Sequence, residues 1–306
     1  DITFEFLNLE EDSLFEESNG KILEYSSLKS DSVMLGRYYS YKAVHFTDKE
    51  LLDSAYYYFS KAEKVFNDLG DHYRRARLQY NSEFILRRSK NFVQSEVLAI
   101  KAARIFESIG KKKNLYQVYN HLGLLYNDLG RYDLAISYHK KAKNLINSLQ
   151  NQSIYKERTL NNLSLVYQKQ GKYEEAISIL DEALDNKELE SLNRNLYAKL
   201  LDNRAFNRFL KGDTTGIRQD YQRARQIREE LDNDAGRAIS HMHLAKLDLS
   251  QGDTISARNH SKSAYELDVN KGFNRDVLES LQQLSKTDPE HSTENMDEYI
   301  SMNDKL

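Results

Sequence analysis

Leu122-Gly-Leu-Leu-Tyr126-Asn-Asp-Leu-Gly130-Arg-Tyr132-Asp-Leu-Ala135 and, 41 residues on, Leu163-Ser-Leu-Val-Tyr167-Gln-Lys-Gln-Gly171-Lys-Tyr173-Glu-Glu-Ala176 carry one pattern twice. Each copy is closed by a second alanine seven residues later, Ala142 and Ala183. A glycine sits in the middle of each, with helix-spaced apolar and small residues on both sides, so each copy reads as two helices joined by a tight turn. The glycine supplies the positive φ that ends the first helix, and the tyrosine two residues on packs across the joint.

Working outward, the same register runs along most of the chain. Ala62, Ala102, Ala142, Ala183, Ala224 and Ala264 are spaced by 40, 40, 41, 41 and 40 residues. Seven residues before them stand Ala55, Ser95, Ala135, Ala176, Ile217 and Ala257, and twelve before those Ala43, Glu83, Gly123, Ser164, Ala205 and Ala245. Small side chains recur because two helices approach to about 8 Å only where side chains are short. Glu83 departs from that rule. Turn glycines keep the beat at Gly130, Gly171, Gly212 and Gly252, while the first two units have Glu50 and Lys90 in their place.

Composition agrees. The 306 residues include one proline, no cysteine and 12 glycines, which favours an all-helical chain over turn-rich β structure. An apolar fraction of 40% and a mean hydropathy of -0.74 suit an elongated stack better than one large core. Without cysteine there is no disulfide, thiolate metal site or cysteine nucleophile. A net charge of -3 with interspersed signs argues against duplex binding, and no apolar run is long enough to span a membrane.

The quoted stretches resemble the tetratricopeptide repeat at nearly every signature position. That resemblance implies an all-α fold, a right-handed α-α superhelical solenoid of helix hairpins. The period of 40 to 41 exceeds the usual repeat of about 34 and lacks its closing proline, which implies longer helices, as in the kinesin light chain and Rap-type quorum-sensing regulators. The expected organisation is a broken-helix cap at residues 1–32, six repeats over 33–270, and a degenerate pair over 271–306 with its turn near Pro289.

Transferring the family's groove-facing positions gives two columns on the first helices, expected to be exposed. One holds Tyr80, Asn120, Asn161 and Asp202; the other holds Tyr41, Asn81, His121, Asn162, Asn203 and His243. Asparagine is a poor helix former, so its recurrence in register asks for a reason. A carboxamide both donates and accepts and can grip the backbone of an extended peptide, as peptide-binding members of the family do. The alternative is a helix-to-helix asparagine ladder that only organises the groove or its water. The same face carries Arg37, Arg77, Arg87, Arg88, Arg158, Lys169, Lys199 and Lys246 against Asp48, Asp128 and Asp202. Such a face would attract an acidic or C-terminal peptide.

Other features carry less. The tyrosines at 38, 39 and 41 and at 56 to 58 could form an aromatic ligand box, but consecutive helical residues point apart, so most are expected to pack the first repeat against the N-terminal cap. His241 and His243 face apart on one helix and the other histidines are scattered, so neither metal nor cofactor is expected. Lys111 to Lys113 read as a solvated loop. Phosphate loops, nucleophile elbows and zinc-protease helices are absent, so the expectation is a binding module and not an enzyme.

The closing segments, His243 to Asp253, Asp276 to Pro289 and Glu298 to Leu306, resemble the end of tetratricopeptide sensor proteins of Bacteroidetes-type bacteria. That implies a signalling input domain whose output part lies beyond a chain read here as a fragment. A passive scaffold and a Rap-like cytoplasmic peptide receptor are the alternatives. Compartment stays open between cytoplasm and, were a membrane span to follow, the periplasm.

Overall fold

A computed structural model describes residues 12–149, 153–269 and 275–303. The fold is all-α: helices joined by turns, with no strand among the described residues. The chain divides into two compact units, Asp1–Asn151 and Gln152–Leu306.

The first unit holds α1 (Asp12–Lys29), α2 (Ser32–Asp48), α3 (Leu52–Asp68), α4 (His72–Arg88), α5 (Phe92–Ser108), α6 (Lys112–Asp128) and α7 (Tyr132–Asn147). Helices α2/α3, α4/α5 and α6/α7 form hairpins, and each hairpin packs on the next. Helix α1 packs on α2 and is continuous over Asp12–Lys29; residues 1–11 of the expected broken-helix cap lie outside the described residues. Its Phe15 is fully buried and stacks on His45 at 4.5 Å. The register residues Ala43, Ala55, Ala62, Ala102, Ala135 and Ala142 are all fully buried. Gly123 shows why size matters there: a Cβ would lie 2.5 Å from the ring of buried His139. Tyr39, Tyr56 and Tyr58 pack against the core around Phe59 and Phe66, while Tyr57 stays exposed with Lys61 Nζ 4.6 Å from its ring.

The turn conformation persists where glycine does not. Gly130 between α6 and α7 has φ 68°, and Glu50 and Lys90 at the equivalent turns both have φ 60°. This left-handed region is one that side chains disfavour, so the hairpin geometry imposes it. Lys112 and Lys113 open α6, with Lys111 as its cap, so the lysine run is mostly a helix start instead of a loop.

The second unit holds α8 (Ser153–Lys169), α9 (Tyr173–Leu184), the single turn α10 (Leu189–Leu192), α11 (Arg194–Lys211), α12 (Ile217–Glu230), α13 (Asp234–Ser250), α14 (Thr254–Val269), α15 (Arg275–Thr287) and α16 (Ser292–Asn303). The hairpins are α8/α9, α11/α12, α13/α14 and α15/α16, the last turning through a 3-10 segment at Pro289–His291. Ala176, Ala205, Ala224, Ala245, Ala257 and Ala264 are fully buried in the same register as before.

Candidate functional site

The register places the first helices of successive hairpins side by side, and in the first unit they enclose a pocket of about 370 Å³. Val44 and Thr47 come from α2, Phe59 from α3, Tyr80, Asn81, Phe84 and Ile85 from α4, and His121 from α6. Its floor is apolar and its polar edge is Tyr80, Asn81 and His121, the usual balance of a ligand site. Those three stand at groove positions expected from the sequence; the apolar lining does not, because its residues look like ordinary core positions.

A hydrogen-bond chain runs behind that polar edge. The Ser95 hydroxyl donates to Glu83 at 3.2 Å, His121 Nδ1 lies 3.0 Å from the other Glu83 oxygen, and His121 Nε2 lies 2.9 Å from the Tyr80 hydroxyl. Glu83 is fully buried, whereas His121 is partly exposed. Burial first, and then the Glu83 carboxylate, raise the Tyr80 phenol above its ordinary pKa and keep it protonated. A carboxylate at a register position that otherwise takes small residues was the signal that this unit holds a polar network.

The second unit contains a related arrangement. Asp202 on α11 is fully buried, with Arg228 Nη1 at 3.2 Å and His243 Nδ1 at 3.1 Å. Burial pushes the Asp202 carboxyl up, but His243 and Arg228 outweigh it and its pKa is lowered. Arg228 also donates to Gly236 O at 2.9 Å and to Ser240 Oγ at 2.6 Å, and the His243 ring stacks on Phe206 at 4.2 Å.

These contacts correct the picture of two exposed columns. Asn161 is 2% exposed and accepts from Asn203 Nδ2 at 2.7 Å. Within each unit, a first-column residue reaches the second-column residue of the next hairpin: Tyr80 to His121, Asn161 to Asn203, Asp202 to His243. These pairs form a helix-to-helix ladder, with Asn161–Asn203 its asparagine rung. Asn120, half-buried, instead accepts at Oδ1 from His139 Nδ1 at 3.0 Å. Asn81 stands apart, since its carboxamide makes no hydrogen bond among the described residues and it lines the pocket.

The basic face is also more neutral than its sequence. Arg87 pairs with Asp128 at 2.7 Å and Arg88 with Glu50 at 2.9 Å. Arg77 lies over the Tyr73 ring at 5.9 Å. Desolvation, and then nearby Arg228, lower the pKa of Lys199. Arg158 and Lys169 remain exposed on α8, with Asn162 half-buried beside them.

The histidines are less scattered than expected: the His241 and His260 Nδ1 atoms lie 2.9 Å apart, while His243 turns to Asp202. Asp288, Glu290 and His291 form the one group among the described residues with metal-like spacing, and the Arg258 guanidinium already bridges its two carboxylates. No helix among the described residues is long and apolar enough to cross a membrane.

With this geometry in place, residues 114–188 match the family model described as tetratricopeptide repeat. No curated protein matches the sequence. Among solved structures, the apo quorum sensor NprR from B. thuringiensis is similar with a TM-score of 0.77 at 16% identity, over 97% of this chain and 84% of that one. Apo RapI matches with a TM-score of 0.74 at 19% identity, over 95% and 80%. The Rap conjugation gene regulator of plasmid pLS20, in complex with the Phr* peptide, matches with 0.64 at 15% identity, over 92% and 76%. At these identities the likeness is one of fold: tetratricopeptide-like helical hairpins in repetition.

Proposed function

We propose that this chain is a non-enzymatic module that binds an extended peptide or protein segment, with the first-unit pocket taking one of its apolar side chains. The observation that carries the reading is the pocket itself, where an apolar floor meets the carboxamide of Asn81, which makes no hydrogen bond among the described residues. Asn162, Arg158 and Lys169 on α8 are the second unit's candidate contacts. The likeness to a quorum sensor and to a regulator solved with a peptide supports the same assignment. It also favours a regulatory input role, in which the bound state is passed to a partner, over a passive scaffold; the closing-segment resemblance to sensor proteins points the same way.

The test is selection of displayed random linear peptides on the full chain. Peptides enriched on wild type are expected to lose at least about tenfold in affinity, roughly 1.4 kcal/mol, on Asn81→Ala/Phe84→Ala. Peptides held by the second unit should, separately, lose affinity on Asn162→Ala/Arg158→Ala. Absence of enrichment, or equal binding to the first variant, refutes the pocket as the peptide site.

A further inference from the structure

We infer that Tyr80 is the group by which the pocket distinguishes one ligand end from another, and that His121, held by Glu83, sets whether Tyr80 donates or accepts. The inference rests on the pocket being the ligand site.

A carboxylate offers only acceptor positions, so the His121 Nδ1 that lies 3.0 Å from Glu83 carries a proton. The state of Nε2 then decides the rest. When the ring is neutral, Nε2 has a lone pair, the Tyr80 hydroxyl must point its proton at it, and the ligand meets only the phenol's lone pairs. When the ring is charged, Nε2–H donates to the Tyr80 oxygen 2.9 Å away, and the phenol proton turns toward the pocket. One proton on His121 therefore inverts the hydrogen-bonding sense of the pocket's edge. Glu83 is fully buried and, among the described residues, also accepts from the Ser95 hydroxyl.

The surrounding groups leave this pair in control. Arg87 on α4 is committed to Asp128 of α6. On α5, Glu96 accepts from the Tyr126 hydroxyl at 2.5 Å. On α7, His139 is buried against Gly123 and bonded to Asn120. Tyr116 of α6 is a buried phenol.

The class of ligand follows. An apolar residue ending in a carboxylate, the C-terminal residue of a peptide, lays its side chain on Phe59, Phe84 and Ile85 and accepts from Tyr80 and Asn81. Its binding draws a proton onto His121. An amide end satisfies Tyr80 in either state and is indifferent to that proton.

The experiment titrates the ¹⁵N-labelled full chain with N-acetyl-L-leucine and, separately, N-acetyl-L-leucinamide between pH 5.5 and 8, following the Asn81, Phe84 and His121 amides by NMR. The acetylleucine Kd is expected to rise about tenfold as pH rises across that range, and the amide Kd to stay within about twofold. In Tyr80→Phe the carboxylate loses its advantage while the amide still binds; in His121→Gln the pH dependence disappears. The wild-type pH series decides alone if either variant misfolds. If both probes bind with the same pH profile, the inference fails and the pocket reading stands. If neither perturbs the pocket, both fail.

Discussion

Glu83 in the first unit and Asp202 in the second are built on one plan and put to different use. Each is a fully buried carboxylate on the first helix of a hairpin. Each is met by the second helix of its own hairpin and by a histidine from the first helix of the next: Ser95 and His121 for Glu83, Arg228 and His243 for Asp202. The partner on the second helix makes the difference. Arg228 brings a full positive charge into the second unit and is itself 3% exposed, and Phe206 covers the histidine, so that network is closed. Ser95 brings only a hydroxyl, and in the first unit the carboxylate's other partner is a histidine that borders a pocket. Exchanging a guanidinium for a hydroxyl turns an internal brace into a group that answers to what lies beside it.

The largest test of that contrast removes each carboxylate. Asp202→Ala leaves Arg228 buried without a countercharge and is expected to lower stability by about 3–5 kcal/mol in urea denaturation. Glu83→Ala restores the kind of small residue seen at Gly123, Ser164, Ala205 and Ala245 and leaves a histidine with access to water. A loss under about 2 kcal/mol is expected. Equal losses would break the comparison.

A second test uses a histidine with no carboxylate beside it. Burial pushes His139 down to about 4 from 6.5. Between those values the unfolded chain binds a proton the native chain does not, so stability is full above the upper value and falls on acidification toward the lower. The slope is up to about 1.4 kcal/mol per pH unit from this site. Urea midpoints at pH 7.5, 6 and 5 should decline, and His139→Gln should flatten the decline. An unchanged slope would mean that other groups carry it.

The smallest effect lies in the turns. Lys90 in the first unit holds φ 60°, where the second unit has Gly212 and Gly252 at 90° and 81°. Lys90→Gly is expected to raise stability by about 0.5–1 kcal/mol, because relief of left-handed strain exceeds the added freedom of the unfolded chain. A drop in the thermal midpoint would show that the lysine side chain contributes more than its backbone loses.

Much of the fold was legible because small residues at a helix contact leave a periodic trace. Ala62, Ala142 and Ala264 could be placed in the core from spacing alone. The left-handed turns at Glu50 and Lys90 were not, since their residue type gives no hint and the demand comes from the hairpin. At the site, Tyr80, Asn81 and His121 were legible as positions in a register, but their partners were not. A column read as exposed contained Asn161 and Asp202, both buried, because the next hairpin covers them. Arg87 and Arg88 looked like free positive charge, yet Asp128 and Glu50 answer them from neighbouring hairpins. Pairings some 40 residues apart belong to the stacking of one hairpin on another, which local periodicity does not encode.

The ladder also sets where this chain tolerates a change in length. Tyr80 meets a residue 41 positions on, Asn161 one 42 on and Asp202 one 41 on. One residue inserted within a helix turns everything after it by about 100° and swings the downstream partner away. The same insertion in a connection between hairpins leaves both faces where they were. Sequence drift among relatives should therefore collect as gaps and extensions between hairpins, with helix lengths held fixed as though by a ruler.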